Sequence, residues 1–272
     1  RGSEGGGREN KQILKLVFVI AIVAIIIYTF RDSAGPILKE LSTTAPWVVI
    51  TICGAGVMYN VVEGWINYSF AKQYNPQFTY RMGVESAFYC SFYRVATLGS
   101  GAGVAAVYYF IEKGISVFQG TGMYMVEYAI HKVTIAIFSI IFFLLNFGFM
   151  KEHYSEYFNL LIAGYVLTAV IATALLLFCC SKKFHGILLF LVDKLNRKGK
   201  FDAQAAMLRE QCGILEDAAG MLLTKGKLIA SIVAKNLLKF AFCYGIPFVI
   251  LYREYGLTLL QSWAVTSLAF ML

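Results

Sequence analysis

The sequence has few charged residues: only 15% of its 272 residues are Asp, Glu, Lys or Arg, while 58% are hydrophobic. Soluble domains carry about 25% charged and about 45–50% apolar residues, and the mean hydropathy here is +0.65. No segment shows the alternation of polar and apolar residues that is typical of strands. These absences exclude an ordinary soluble domain. Several apolar runs of about twenty residues predict an all-α polytopic membrane protein, a helical bundle.

Residues for metal, disulfide and phosphate sites are equally scarce. The six cysteines show no paired spacing, so we expect buried free thiols. The three histidines form no metal-binding pattern, and no glycine-rich phosphate loop follows a strand. The sequence therefore predicts no metal, no cofactor and no soluble catalytic domain.

The apolar runs define one transmembrane domain over 13–272, preceded by a segment 1–12 that we interpret as a tag or linker remnant. Because the last apolar run is too short for a complete span, we expect the natural protein to continue past Leu272. The predicted spans are 13–30, 46–70, 118–149, 158–180, 228–252 and an unfinished one from about 257.

The segment 84–111 does not fit a simple span. It contains FYRVATLGSGAGVAAVYYF, in which Arg94 is followed by the Gly-Ser-Gly-Ala-Gly run 99–103. A continuous helix over 84–111 would be about 42 Å long, well beyond the ~30 Å hydrocarbon core. Broken at 99–103, neither arm is long enough to cross. We therefore predict a re-entrant broken-helix hairpin.

Loop charge supports the same topology. The N-terminal tail, the 71–81 loop and the 181–227 connection each carry more Lys and Arg than Asp and Glu, which favours the cytoplasmic side for all three. They share one side only if 84–111 enters and returns on that side. We therefore expect a multi-pass protein of the cell membrane whose N-terminus is in the cytoplasm. The connection 181–227 reads as two amphipathic helices, broken near Gly199-Lys200, on the cytoplasmic membrane surface. The net charge of +8 fits this placement, and nucleic acid is not expected as a partner.

Polar residues inside the predicted spans are costly and need an explanation. They fall at helical spacing, so that each set shares one face: Asn60, Glu63 and Asn67; Glu127 and His131; Lys235, Asn236 and Lys239; and, before the glycine run, Arg94. Because several helices each carry such a face, the pattern predicts a polar cavity within the bilayer. The N–H groups of a broken helix around Ser100–Gly103 would add an anion site.

Each residue also has a simpler interpretation. Lys235 could extend to the cytoplasmic surface, and Glu63 could hydrogen-bond a neighbouring helix. His131 could be a core histidine, and Glu127 could pair with Arg94 to close the bundle. The glycines could serve close helix packing alone.

These residues also resemble a known family. FYRVATLGSGAGVAAVYYFIEKGISVFQGTGMYMVEYAIHKVTIAI is similar to the signature region of the lysylphosphatidylglycerol synthase transmembrane (flippase-like) family. The residues that match its pattern in order are Arg94, Thr97, Gly101, Gly103, Lys113-Gly114-Ile115 and Glu127. Two positions depart from the pattern: Leu98 replaces a proline, and Ala102 separates two glycines that are adjacent in the family.

The resemblance implies that the chain moves a phospholipid, such as an aminoacylated phosphatidylglycerol or a related anionic lipid or glycolipid, between leaflets. Membrane phospholipids would be its partners, and a second copy of the chain or a separate lipid-modifying synthase are further partners to consider. Two other functions stay open. One is a membrane-embedded transferase for a polyprenyl-linked substrate, with Glu63 or Glu127 as base. The other is a non-transporting partner of a separate enzyme.

Overall fold

The computed structural model describes residues 42–97, 99, 101–196 and 202–269, with single positions at 20, 24, 28, 31, 35, 38 and 39. The segment 1–12 and almost all of the expected span 13–30 lie outside these described residues. Within them the structure is helical and contains no strand, which confirms the all-α prediction.

The helices are numbered here along the described chain. They are α1 (Pro46–Ala71), α2 (Tyr80–Ala96), α3 (Ala102–Glu112), α4 (Val117–Leu145), α5 (Phe147–His153), α6 (Phe158–Cys180), α7 (Lys182–Leu195), α8 (Asp202–Leu222), α9 (Gly226–Gly245), α10 (Phe248–Tyr255) and α11 (Leu259–Ala269). A 3-10 turn, Ser155–Tyr157, joins α5 to α6.

Among the residues that the structure describes, four helical stretches are long and apolar enough to cross a membrane. They are α1, α4, α9 and the stretch Ser155–Ala174 within the 3-10 turn and α6. Each holds at least 20 residues, about 30 Å of helix. The chain is therefore a multi-pass membrane protein.

The segment predicted as a hairpin is indeed two helices, α2 and α3, separated at residues 97–101. They run antiparallel, because the Tyr109 hydroxyl near the end of α3 donates to Glu85 near the start of α2 (3.1 Å). The two outer ends also meet: the Asn75 side chain donates to the Lys113 carbonyl (2.8 Å). The chain thus leaves the hairpin on the side where it entered. That the hairpin enters the bilayer stays a prediction.

The loop 71–81 and the end of the 181–227 connection lie at one face of the bundle. Lys225, just before α9, donates to the side chain of Gln73 at 2.8 Å. This agrees with the loop charges, which placed both segments on the same side. We call this side of the bundle the loop face.

Two predicted spans end earlier than expected. The span at 118–149 is interrupted after Leu145, where the Asn146 amide donates to the carbonyls of Phe142 (2.9 Å) and Leu260 (3.2 Å). The span at 228–252 ends at Gly245, and α10 follows from Phe248. Pro247 lacks the N–H that a continuing helix requires and restricts the residue before it. The prediction of one span over 228–252 was wrong at this end.

The connection 181–227 contains two helices, as predicted, although its expected break at Gly199-Lys200 lies outside the described residues. The apolar side of α7 is exposed at Ile187 and Phe190, which suits a membrane surface. In contrast, α8 packs against the bundle and buries Leu215 and Leu222 completely. The apolar face of α8 therefore has a protein partner, and the placement of the connection against headgroups stays a prediction.

The contact between α8 and α4 depends on Gly122. A Cβ atom at this position would lie 2.5 Å from the Cβ of Ala218. We expect Gly122→Leu to lower the free energy of unfolding by about 1–3 kcal/mol, because the larger side chain forces the helices apart. Thermal unfolding in detergent measures this effect. Gly213→Leu on α8 is the matched control, since nothing lies within 4 Å of its Cβ position. Equal melting temperatures for both variants would contradict the prediction.

Candidate functional site: a buried charged cluster

The helices α1 and α2 pack closely enough to bring their polar side chains into contact. A Cβ atom on Gly64 would lie 2.5 Å from the Cα of Val84, so only glycine fits this approach. The Asn67 amide donates to Ser86 (2.9 Å). In the next contact along the helices, Ser91 donates to the Asn60 amide oxygen (2.5 Å). These bonds join α1 to α2 and engage both asparagines, which the sequence assigned to substrate.

Glu63 lies between these two asparagines in the sequence but contacts a different helix. It forms an ion pair with Lys239 of α9, and the same ammonium group donates to Nδ1 of His131 on α4 (2.9 Å). Because Nδ1 accepts this bond, His131 is a neutral imidazole in this arrangement. Three helices therefore meet at one ammonium group. The Lys239 side chain is fully buried.

The depth of this ion pair places it well inside the membrane. Lys239 lies about 20 Å along α9 from Gly226, and Glu63 lies about 12 Å along α1 from Ala71. Both reference points, the start of α9 at Gly226 and the end of α1 at Ala71, lie at the loop face. With a hydrocarbon core of about 30 Å, the pair is in its interior. A buried pair at this depth is costly unless each charge is matched and hydrogen-bonded, as both are here.

Glu127 is buried beside this pair without joining it. Its side chain is 7% exposed and interacts electrostatically with Glu63, Lys239 and Arg94. Among the described residues it has no hydrogen bond and no ion pair. The alternative that Glu127 pairs with Arg94 is not what the structure shows, because the Arg94 guanidinium instead donates to the Tyr59 hydroxyl at 3.4 Å. Glu127 is thus an acid whose partner is not provided by the described chain.

Lys235 is directed away from the central pair and toward the loop face. Its ammonium group donates to the Ser69 hydroxyl (2.6 Å) and lies 4.5 Å from the centre of the Trp65 ring. Ser69 is only two residues from the end of α1. This orientation agrees with the alternative that Lys235 extends to the surface. Asn236 donates to the Ile232 carbonyl (3.2 Å), and its buried amide oxygen has no partner among the described residues.

The tip of the hairpin is held by the chain itself. The Thr97 hydroxyl donates to the Tyr93 carbonyl (2.7 Å) and accepts the N–H of Gly101 (2.6 Å). That N–H group is therefore already bonded. Gly99 has a φ of +97°, which favours glycine. Ser100 lies outside the described residues.

Gly103 has a packing role at the start of α3. A Cβ atom there would lie 2.8 Å from Cε1 of Tyr124, which supports the interpretation of the glycines as close contacts. Between α3 and α4 a groove of about 590 Å³ extends from this point, lined by Val104, Val107 and Ile111 among others. Tyr124 lies in it and interacts electrostatically with Glu127 and Arg94. An apolar groove therefore adjoins the charged cluster.

The structure thus brings Glu63, Glu127, His131 and Lys239 together, with Arg94 at the edge of the group. Four further residues contribute contacts here that no motif in the sequence indicated: Tyr59, Ser69, Ser86 and Ser91. Tyr59 lies one helical turn before Glu63, so helical spacing could have found it. The serines carry no such signal, because a serine in an apolar helix contacts either its own backbone or a neighbour.

Outside the spans, a second charged group joins α7 to α8. Lys182 forms an ion pair with Glu216, and this hydrogen-bonded carboxylate raises the pKa of Lys182 above its usual value. No group of three or more His, Cys, Asp and Glu side chains that could hold a metal occurs in the described part of the chain.

Comparison with known proteins gives no relative: no family model, no curated protein and no solved structure matches this chain. The resemblance to the lysylphosphatidylglycerol synthase transmembrane family therefore stays a prediction.

Proposed function

We propose that this chain is a lipid translocase of the cell membrane, with its N-terminus in the cytoplasm. Its substrate would be a phospholipid such as an aminoacylated phosphatidylglycerol, or a related anionic lipid or glycolipid. The observation that carries the proposal is the buried cluster of Glu63, Glu127, His131 and Lys239. Three helices place these side chains at the depth of the hydrocarbon core, where an ionisable group is expensive and is usually functional.

The cluster has both signs of charge, which suits a headgroup with a phosphate and an amine or hydroxyls. Arg94 and the N–H groups in the first turn of α3 would bind the phosphate. Glu127, with His131 or Glu63, would bind the amino or hydroxyl group and could carry a proton. Lys239 and Lys235 would attract anionic headgroups. The apolar groove between α3 and α4 supports the proposal, since a lipid needs an apolar surface beside its headgroup site.

A leaflet-accessibility assay tests the proposal. Purified protein is placed in liposomes with fluorescent phospholipids, including lysyl-phosphatidylglycerol, and dithionite quenching is followed. Wild type should expose the inner-leaflet lipid. Arg94→Ala and Glu127→Gln should each slow that exposure at least about tenfold, since a hydrogen bond to a charged group contributes about 1.5–3 kcal/mol. Arg253→Ala and Glu254→Gln are matched controls, because both residues are exposed and lie outside these four apolar stretches.

Two results would overturn this proposal. If wild type matches empty liposomes for every lipid, the cluster serves a transferase or an assembly partner. If wild type moves lipid and both variants do so equally fast, the path does not pass Arg94 and Glu127.

A further inference from the structure

Lys235 is a buried cation whose charge the described chain does not neutralise. Its side chain is 8% exposed, and its ammonium contacts are the Ser69 hydroxyl and the Trp65 ring. No carboxylate among the described residues pairs with it. Lys239, one turn further along α9, differs because Glu63 neutralises it. An ammonium group has three donors, and the Ser69 bond uses one.

The surroundings of Lys235 attract anions as well. Lys225 and Lys72 lie at the same end of α1, bonded to the uncharged side chains of Gln73 (2.8 Å) and Tyr68 (2.7 Å). None of these three lysines has a carboxylate partner among the residues that the structure describes. The extension of Lys235 toward the surface explains its direction but leaves its charge unmatched. These lysines together favour an anion at this position.

We infer that Lys235, Ser69 and Trp65 form a binding position for the phosphate group of a phospholipid in the leaflet at the loop face. The position is separate from the Glu63–Lys239 cluster. That it passes bound lipid to this cluster for movement between leaflets rests on the proposed function. Ser69 lies about 3 Å along α1 from its end. Because this 26-residue helix is longer than the ~30 Å hydrocarbon core, we expect its end to reach the headgroups, where tryptophan is enriched. The two remaining N–H groups of Lys235 would bind phosphate oxygens.

A lipid phosphate suits this position better than a free phosphate ion. Trp65 and Leu238 are both 44% exposed. The Trp65 ring contacts the Lys235 ammonium group, and Leu238 lies about one turn further along α9. They would contact the glycerol and acyl part of a lipid. A free phosphate ion has no apolar part that could contact these surfaces.

Native mass spectrometry of the purified protein measures the binding. The probes are phosphatidylglycerol, diacylglycerol with the same acyl chains, and inorganic phosphate. We expect Lys235→Gln to weaken phosphatidylglycerol binding about tenfold, since a charge-assisted hydrogen bond is lost. Lys235→Arg should stay within about threefold of wild type. Lys227→Gln, an exposed lysine on the same helix, is the control for net charge and should have no effect. Diacylglycerol should bind to wild type and to all variants equally well, because it has no phosphate.

The inference fails if Lys235→Gln binds phosphatidylglycerol as wild type does, or if it weakens diacylglycerol equally. Inorganic phosphate that displaces the lipid at equal concentration would overturn the assignment to a lipid. Transport of the same lipid, followed in the liposome assay, separates this result from the proposed function. If wild type binds lipid through Lys235 but moves none, the binding position stands and the translocase fails. If wild type moves lipid but Lys235→Gln binds phosphatidylglycerol normally, the translocase stands and the binding position fails.

Discussion

Lys239→Leu should destabilise the protein by about 3–5 kcal/mol, the cost of leaving one member of a buried ion pair without its partner. The substitution leaves Glu63 without its only ion-pair partner among the described residues and removes the donor to His131. Leucine has a similar bulk to the lysine stem, so the loss is mainly electrostatic. Thermal or denaturant unfolding in detergent would measure it.

The double variant Glu63→Leu with Lys239→Leu provides the decisive comparison. Replacing both charges by apolar groups is often neutral, so the double variant should recover most of the stability that the single variant loses. The same double variant should still lose lipid movement, because the charges are gone. If the double variant is as unstable as the single one, the pair is not the source of the effect.

Gly83→Leu should separate α1 from α2 and cost about 3 kcal/mol or more. A Cβ atom at Gly83 would clash with the Gly64 carbonyl oxygen, a backbone atom that cannot move without shifting the helix. Overpacking by added methylenes usually costs about 1–3 kcal/mol, and this clash is with rigid backbone. The hydrogen bond between Asn67 and Ser86 would be broken as well.

Gly54→Leu on α1 is the matched control, since nothing lies within 4 Å of its Cβ position. The expected result is a large drop in melting temperature for Gly83→Leu and little change for Gly54→Leu. Lipid movement should fall with the first, because α2 carries Arg94. A normal melting temperature for Gly83→Leu would show that α1 and α2 are not in close contact.

Much of the architecture could be predicted because it follows from local chemistry. Apolar runs near 46–70 and 158–180 gave helices at those positions, since a lipid core allows only internally bonded backbone. The glycine run at 99–103 marked the break between α2 and α3. Loop charge anticipated that the 71–81 loop and the 181–227 connection share one face.

Helix ends and side-chain partners could not be predicted in the same way. The end of α9 at Gly245 depends on Pro247, a local signal that the apolar run obscured. The partners of Asn60 and Asn67 depend on the close approach of Gly64 to α2, which involves residues about 20 positions apart. Spacing placed these asparagines on one face with Glu63 but could not show that α2 covers them.

The sequence by itself determined that this is a helical membrane protein with a broken hairpin and with charged faces on several spans. These features depend on composition and on periods of a few residues, which a single chain displays directly. Only the tertiary structure decided that Lys239 pairs with Glu63. It also decided that Lys235 lies at the loop face and that neither Lys235 nor Glu127 has an ion-pair partner among the described residues. Those contacts join residues up to 176 positions apart, and they depend on which helices pack together and at what height.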